Sequence, residues 1–253
     1  MIAVEVCLDD LDGISVAERA GAHRVELCGS LGNGGTTPSI GTVAVALRTA
    51  DRIGINVLVR QRAGDFVYSA AEVDAMVEDI RAMRALPNPH NVRLGFVVGA
   101  LNPDGTIDLE STRRMVEASG DAAVTFHKAF DQTSDLTAAL DQLIELGVTR
   151  ILTSGGAATA LEGAEKLAEL VGRSNGRAII LAGGGVRPAN VAELVRRTGV
   201  TEVHLRAAES VPSASLSVDG IASAYDSGTR VVTSETIVAS LLGAVDRDGG
   251  AAA

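Results

Sequence analysis

Tryptophan is absent from this 253-residue chain, and all aromatic residues together make up 2% of it. That leaves few flat surfaces on which bases or sugars could stack. Only two cysteines occur, Cys7 and Cys28, too few for the disulfide framework of a small secreted protein. No apolar run approaches the ~20 residues that span a bilayer. The opening MIAVEVCLDD has no basic stretch and no cleavage-site pattern, and acidic residues follow at once. It reads as a first strand rather than a secretion signal. Positive charge is also scarce: 22 basic against 32 acidic residues give a formal charge of −10. Such a surface repels nucleic acid and anionic membranes. The expected partners are therefore a small molecule or a metal ion, with neither nucleic acid nor membrane among them. The expected location is cytoplasmic, with both cysteines as free thiols. Composition leaves homo-oligomer formation open.

What the chain does have is a repeating pattern of a short β-branched run, a Gly- or Asp-containing turn and a longer amphipathic stretch. The strands are expected at Ile2–Cys7, Arg24–Cys28, Asn56–Arg60, Arg93–Val98, Ala123–His127, Arg150–Thr153, Ala178–Ala182 and Glu202–Leu205. The helices between and after them are expected at Asp12–Ala20, Ile40–Arg52, Ala71–Ala85, Leu109–Ala118, Leu136–Leu146, Leu161–Val171, Asn190–Thr198 and Ser234–Val245. Eight βα units in strict alternation predict an α/β protein with a parallel sheet. Eight units in a chain of this length predict closure into a (β/α)8 TIM barrel, a single domain over residues 1–248. Residues 249–253 read as a disordered tail. Arg206–Thr233 reads as a long irregular loop, rich in Ser, Ala and Gly.

Successive strand residues point to opposite faces. The apolar sets Val4/Val6, Val25/Leu27 and Val57/Val59 should pack on helices. That turns Glu5, Cys7, Glu26, Cys28 and Arg60 inward, and the same parity turns Thr125, His127, His204 and Arg206 inward. A barrel interior filled for stability alone favours Val, Ile and Leu, and buried charge is costly unless paired or used. Either Glu5 and Glu26 pair with Arg60, or the strand ends carry a polar site. In such a site Glu5, Glu26 and His127 are candidate acids, bases or divalent-metal ligands. Asp131, on the loop beyond His127, would orient it or touch substrate. Lys128 has the opposite parity, which argues against a Schiff-base lysine.

Further ligand-binding candidates follow. Arg60 and Arg62, two apart, suit a carboxylate or phosphate, or else salt bridges to Glu26 and Asp65. Thr153-Ser154-Gly155 and Gly183-Gly184 form glycine-rich turns after the sixth and seventh strands, where barrels often hold phosphate; tight βα turns are the alternative. The loop from Gly29 to Ser39 ends in a helix start that could present N–H groups to an anion. Cys7 and Cys28 are expected at matching depths on strands ~4.8 Å apart, within reach of one another. They could hold Cu(I) or Zn(II), or simply fill a layer of the barrel.

Taken together, Glu5-Val6-Cys7, Arg24–Cys28, Gly34-Gly35-Thr36-Thr37-Pro38-Ser39, Gly64–Ser69, Val124–Asp131, Leu152–Gly155 and Glu202-Val203-His204 resemble the copper homeostasis protein CutC family over nearly the full length. The resemblance implies a barrel, a cytoplasmic location and a role in copper tolerance or Cu(I) binding, with Cys7 and Cys28 as the cysteine pair. It leaves open an enzyme of unknown reaction acting on a small anionic or polyol-like metabolite. The chain departs from the family pattern at Gln61 and Ala63, where Pro and Gly are usual, and at Leu205 and Arg206, where small polar residues are usual.

Overall fold

A computed structural model describes residues 1–214 and 228–249, with side chains described up to residue 245 in the last helix. The strands are β1 (Ala3–Leu8), β2 (Arg24–Leu27), β3 (Gly54–Leu58), β4 (Leu94–Val98), β5 (Ala123–Phe126), β6 (Arg150–Thr153), β7 (Ile179–Gly183) and β8 (Glu202–Leu205). They pair in parallel in sequence order, and β8 pairs back onto β1 to close the barrel. The helices are α1 (Asp12–Arg19), α2 (Ile40–Thr49), α3 (Ala70–Arg84), α4 (Leu109–Ser119), α5 (Leu136–Glu145), α6 (Ala164–Ser174), α7 (Val191–Thr198) and α8 (Glu235–Gly249). The expected TIM barrel is therefore what forms.

Alternation sorts the side chains. Val4, Val6, Val25, Leu27, Ile55, Val57 and Val203 are fully buried in the layer between strands and helices. Several helix starts are fixed by side-chain hydrogen bonds. Ser39 accepts from Thr42 N at the head of α2. At α3, Ser69 and Glu72 form a reciprocal capping box, and Arg62 braces the same Glu72 at 2.6 Å.

The stretch after β8 differs from the irregular loop expected over Arg206–Thr233. Its two ends form an antiparallel pair, β9 (Ala208–Pro212) and β10 (Thr229–Thr233). These arms are short and mostly exposed, so they carry little of the apolar alternation that signals a strand. The intervening residues 215–227 lie outside the described residues, as does most of the expected tail. Thr233 ties the pair to the first βα loop, donating through N and Oγ1 to Asp10. Among the described residues, no helix is long and apolar enough to cross a membrane.

Candidate functional site

The barrel interior is layered by charge. Its lower layer, near the strand starts, is an ion-pair network. Arg24 donates to Glu5 at 2.5 Å and also to Glu202. Arg150 donates to Glu202 at 2.8 Å, and Asn56 to Glu5 at 2.9 Å. Glu5 also meets His204 Nδ1 at 2.8 Å. Burial alone would raise the Glu5 pKa, but the His204 hydrogen bond and the Arg24 charge hold it at about 2. Glu5 is thus a fixed anion whose oxygens are committed. The expected pairing of Glu5 and Glu26 with Arg60 does not form; Arg24 stands in its place. Arg24, Arg150, Glu202 and Asn56 were not singled out from the sequence because they sit at strand starts. Carrying the parity of Glu26 and His204 two residues back would have found Arg24 and Glu202.

Above this layer Cys7, Glu26 and His204 converge. One ligand atom from each lies within 4.8 Å of the others, and His204 Nε2 is 3.7 Å from Glu26. Cys7 pairs in register with Glu26, so Cys28 lies two residues further up rather than at matching depth. Even so, the two sulfurs are 4.0 Å apart, and both cysteines are free and buried. Leu58, Val97 and Leu31 pack around them. A hydrogen bond from Cys28 brings the Cys7 thiol down to about 5, against the effect of burial. The same bond, with burial, raises Cys28 well above the ordinary range. Burial, and then the charge on Cys7, raises Glu26. For His204 burial acts downward, but hydrogen bonds to Cys7 and Glu5 carry it well above its ordinary value. The space that opens past Cys7 between Asp9, Leu31, Arg206 and β10 is about 10 Å³, room for a single water-sized body.

The topmost layer holds His127 and Arg60, both buried. His127 follows β5, and its Nδ1 accepts from Ala129 N at 3.2 Å. The proton therefore sits on Nε2, which is buried with no partner among the described residues. Burial, reinforced by the Arg60 charge, lowers its pKa to about 3, so the ring is neutral. Gly99 makes room for it; a Cβ there would stand 2.3 Å from the imidazole. Arg60 donates to the carbonyls of Gly34, Gly35 and Gly64. Its guanidinium lies 4.9 Å from the Phe66 ring centroid, and Phe66 in turn lies 4.8 Å from His127.

Several expected ligand contacts are made instead within the protein. Arg62 turns out of the barrel, pairs with Asp65 and Glu72, and covers the Tyr68 ring. Asp131 does not touch His127. Its carboxylate accepts from Thr153 Oγ1 at 2.5 Å, Ser154 N at 3.0 Å, Gly156 N at 2.9 Å and Lys128 Nζ at 2.6 Å. The nest after β6, built from Thr153 Oγ1 and the N–H groups of Ser154 and Gly156, thus already holds an anion of the chain's own, while the Gly155 N–H donates to Thr153 Oγ1. Strand parity ends at Phe126. A 3-10 turn over Lys128–Gln132 brings Lys128 to Ser154 Oγ at 2.7 Å, at the mouth rather than the outer face. Gly183 gives space to Leu152 and His204, and Gly184 to Ser154 and Lys128. Arg206 lies past the end of β8 and is exposed.

Comparison with known proteins places this geometry among relatives. The CutC family model matches residues 2–209. A family protein CutC from Mesorhizobium japonicum is 47% identical over 83% of this chain and 79% of its own. One from Chromobacterium violaceum is 41% identical over 96% of this chain and 98% of its own. A crystal structure from Streptococcus agalactiae, provisionally described as a copper homeostasis protein CutC, superposes with a TM-score of 0.73 at 34% identity. It covers 81% of this chain and 98% of that one. Phosphoribosyl anthranilate isomerase from Thermococcus kodakaraensis, at 18% identity and a TM-score of 0.57, covers 97% of this chain and 99% of its own, and shares the fold alone.

Proposed function

The chain belongs to the CutC family, and from that premise we propose that it is a copper homeostasis protein that binds Cu(I) through Cys7 and Cys28. The observation that carries this reading is the 4.0 Å separation of two buried, unoxidised sulfurs. Bonds from thiolate to metal of ~2.3 Å let one ion reach both. Soft sulfur donors suit Cu(I) over harder ions. The description of the Streptococcus agalactiae relative points the same way. In this reading the protein works in the cytoplasm, where thiols stay reduced.

A second reading has a specific observation behind it. Cys7, Glu26 and His204 form a mixed sulfur, oxygen and nitrogen set, which suits a borderline divalent ion such as Zn(II). An enzyme acting on a small anionic metabolite would draw on Glu26, His204 and Arg60. The 10 Å³ beside Cys7 favours an ion over a metabolite at that point.

Anaerobic titration of the reduced protein against a Cu(I) chelator separates the readings. The expected result is one Cu(I) per chain, lost in Cys7→Ser and in Cys28→Ser and kept in Glu26→Gln. Loss in Glu26→Gln with retention in Cys28→Ser would move the metal to the mixed set. Unchanged stoichiometry in the double Cys→Ser variant would remove the thiol pair as ligands.

A further inference from the structure

Arg60 is the exception among the arginines of the barrel interior. Arg24 and Arg150 are each neutralised by carboxylates. Arg60, 7% exposed, has three backbone carbonyls as partners and no carboxylate within ion-pair distance among the described residues. A buried charge is ordinarily paired, because its desolvation is otherwise uncompensated. The Phe66 ring offsets part of that cost but brings no negative charge.

Around this cation, hydrogen-bond donors are left over. The Nε–H of Arg60, the hydroxyl of Tyr68 and the Nε2–H of His127 are all buried with no hydrogen-bond partner among the described residues. Each buried unmade hydrogen bond costs ~1–3 kcal/mol, so three neighbouring ones call for a common explanation. They are neighbours: Phe66 touches both Arg60 and His127, the Arg60 charge acts on His127, and Arg60 acts on Tyr68 through its charge and a hydrogen-bonding approach too poorly aligned to satisfy either group. Two of the three can only donate, and the third can. One of them carries a full positive charge. The complement of such a group is an oxygen bearing negative charge.

We propose that Arg60, Tyr68 and His127 form a binding site for a small oxyanion, a carboxylate or phosphate group, beneath the loop that carries Phe66. Nη1 spends both of its hydrogens on the carbonyls of Gly34 and Gly35 and Nη2 one on Gly64, which leaves the Nε–H and the second Nη2–H of the guanidinium to meet the anion. The glycine carbonyls hold the guanidinium in place while leaving its charge unneutralised, which is the condition for attracting an anion. His127 serves as a neutral donor, since its other nitrogen is occupied by Ala129 N. The site does not depend on the thiol pair and stands or falls separately from copper binding.

The test is an NMR titration of the ¹⁵N-labelled, metal-free protein with inorganic phosphate and, separately, with formate, at constant ionic strength. The side-chain N–H signals of Arg60 and His127 are identified by their loss in Arg60→Lys and His127→Asn. Both signals should move together and saturate at one midpoint. Tyr68→Phe, which removes a single oxygen, should raise that midpoint roughly five- to ten-fold. Saturation with phosphate or with formate alone identifies which oxyanion is taken. Drift without saturation for both anions would mean that water serves these donors and would overturn the site. An unchanged midpoint in Tyr68→Phe would overturn it as a three-donor site.

Discussion

A single imidazole illustrates how burial fixes chemistry. His127 ordinarily titrates near 6.5, yet in the fold its pKa is about 3. The unfolded chain therefore takes up a proton between those values that the native state refuses. Stability is full above pH 6.5 and falls as pH drops toward 3, at up to about 1.4 kcal/mol per pH unit. Carboxylates with lowered pKa values act only below their own unfolded range, near pH 4. Between pH 7 and 5 the displaced pKa values of Glu26, His204 and Cys7 also contribute, so the part due to His127 is read as the difference between the wild type and a variant that lacks the ring. Urea unfolding at the two pH values should show the wild type losing about 2 kcal/mol more than His127→Asn. Equal losses would mean that the ring is protonated in the native state.

At the scale of elements, the turn after β5 and the loop after β6 are joined through one carboxylate. Burial acts to raise the Asp131 pKa, but hydrogen bonds from Lys128 and Thr153 lower it overall. Removing it leaves Lys128 and two backbone N–H groups without their anion. Asp131→Ala should cost about 2–3 kcal/mol, seen as a lower melting temperature. Added phosphate should restore part of the loss in the variant and do little for the wild type. Absence of any phosphate effect on the variant would mean that the loop collapses once the carboxylate is gone.

The same loops show what could be read from the residues alone. All eight barrel strands and eight helices were legible, because alternation and turn chemistry are local signals. Inward parity held within the strands for Glu5, Cys7 and Glu26 and just beyond them for Arg60 and His127. It failed at two other positions past strand ends. There Lys128 entered a tight turn and Arg206 left the sheet, and backbone direction no longer followed a period of two. Partners were less legible than positions. Nothing in the local pattern says that the nest after β6 receives Asp131, twenty-two residues before Thr153, or that Arg24 rather than Arg60 neutralises Glu5. Those choices depend on the strand register around a closed sheet. The polar arms β9 and β10 were missed because exposure leaves them without an apolar stripe.

Across the whole molecule, stability and chemistry share one interior. The network of Glu5, Arg24, Glu202 and Arg150 lies below the cluster of Cys7, Glu26 and His204, and Glu5 belongs to both through its bond to His204. Breaking a buried pair by removing one partner typically costs ~3–5 kcal/mol. Arg24→Met should do so, because it strands Glu5 and weakens the hold on Glu202. The measurement is the urea midpoint at neutral pH. A change below about 1 kcal/mol would show that water enters and rescreens the two acids.

That charged floor has a consequence for traffic. Guanidinium and carboxylate groups interlock across the lower end of the barrel, while among the described residues the space beside Cys7 opens past Leu31 and the paired arms after β8. An ion bound at the sulfurs would therefore arrive and leave at the upper end, and changes in the arms would alter its exchange before they altered its affinity.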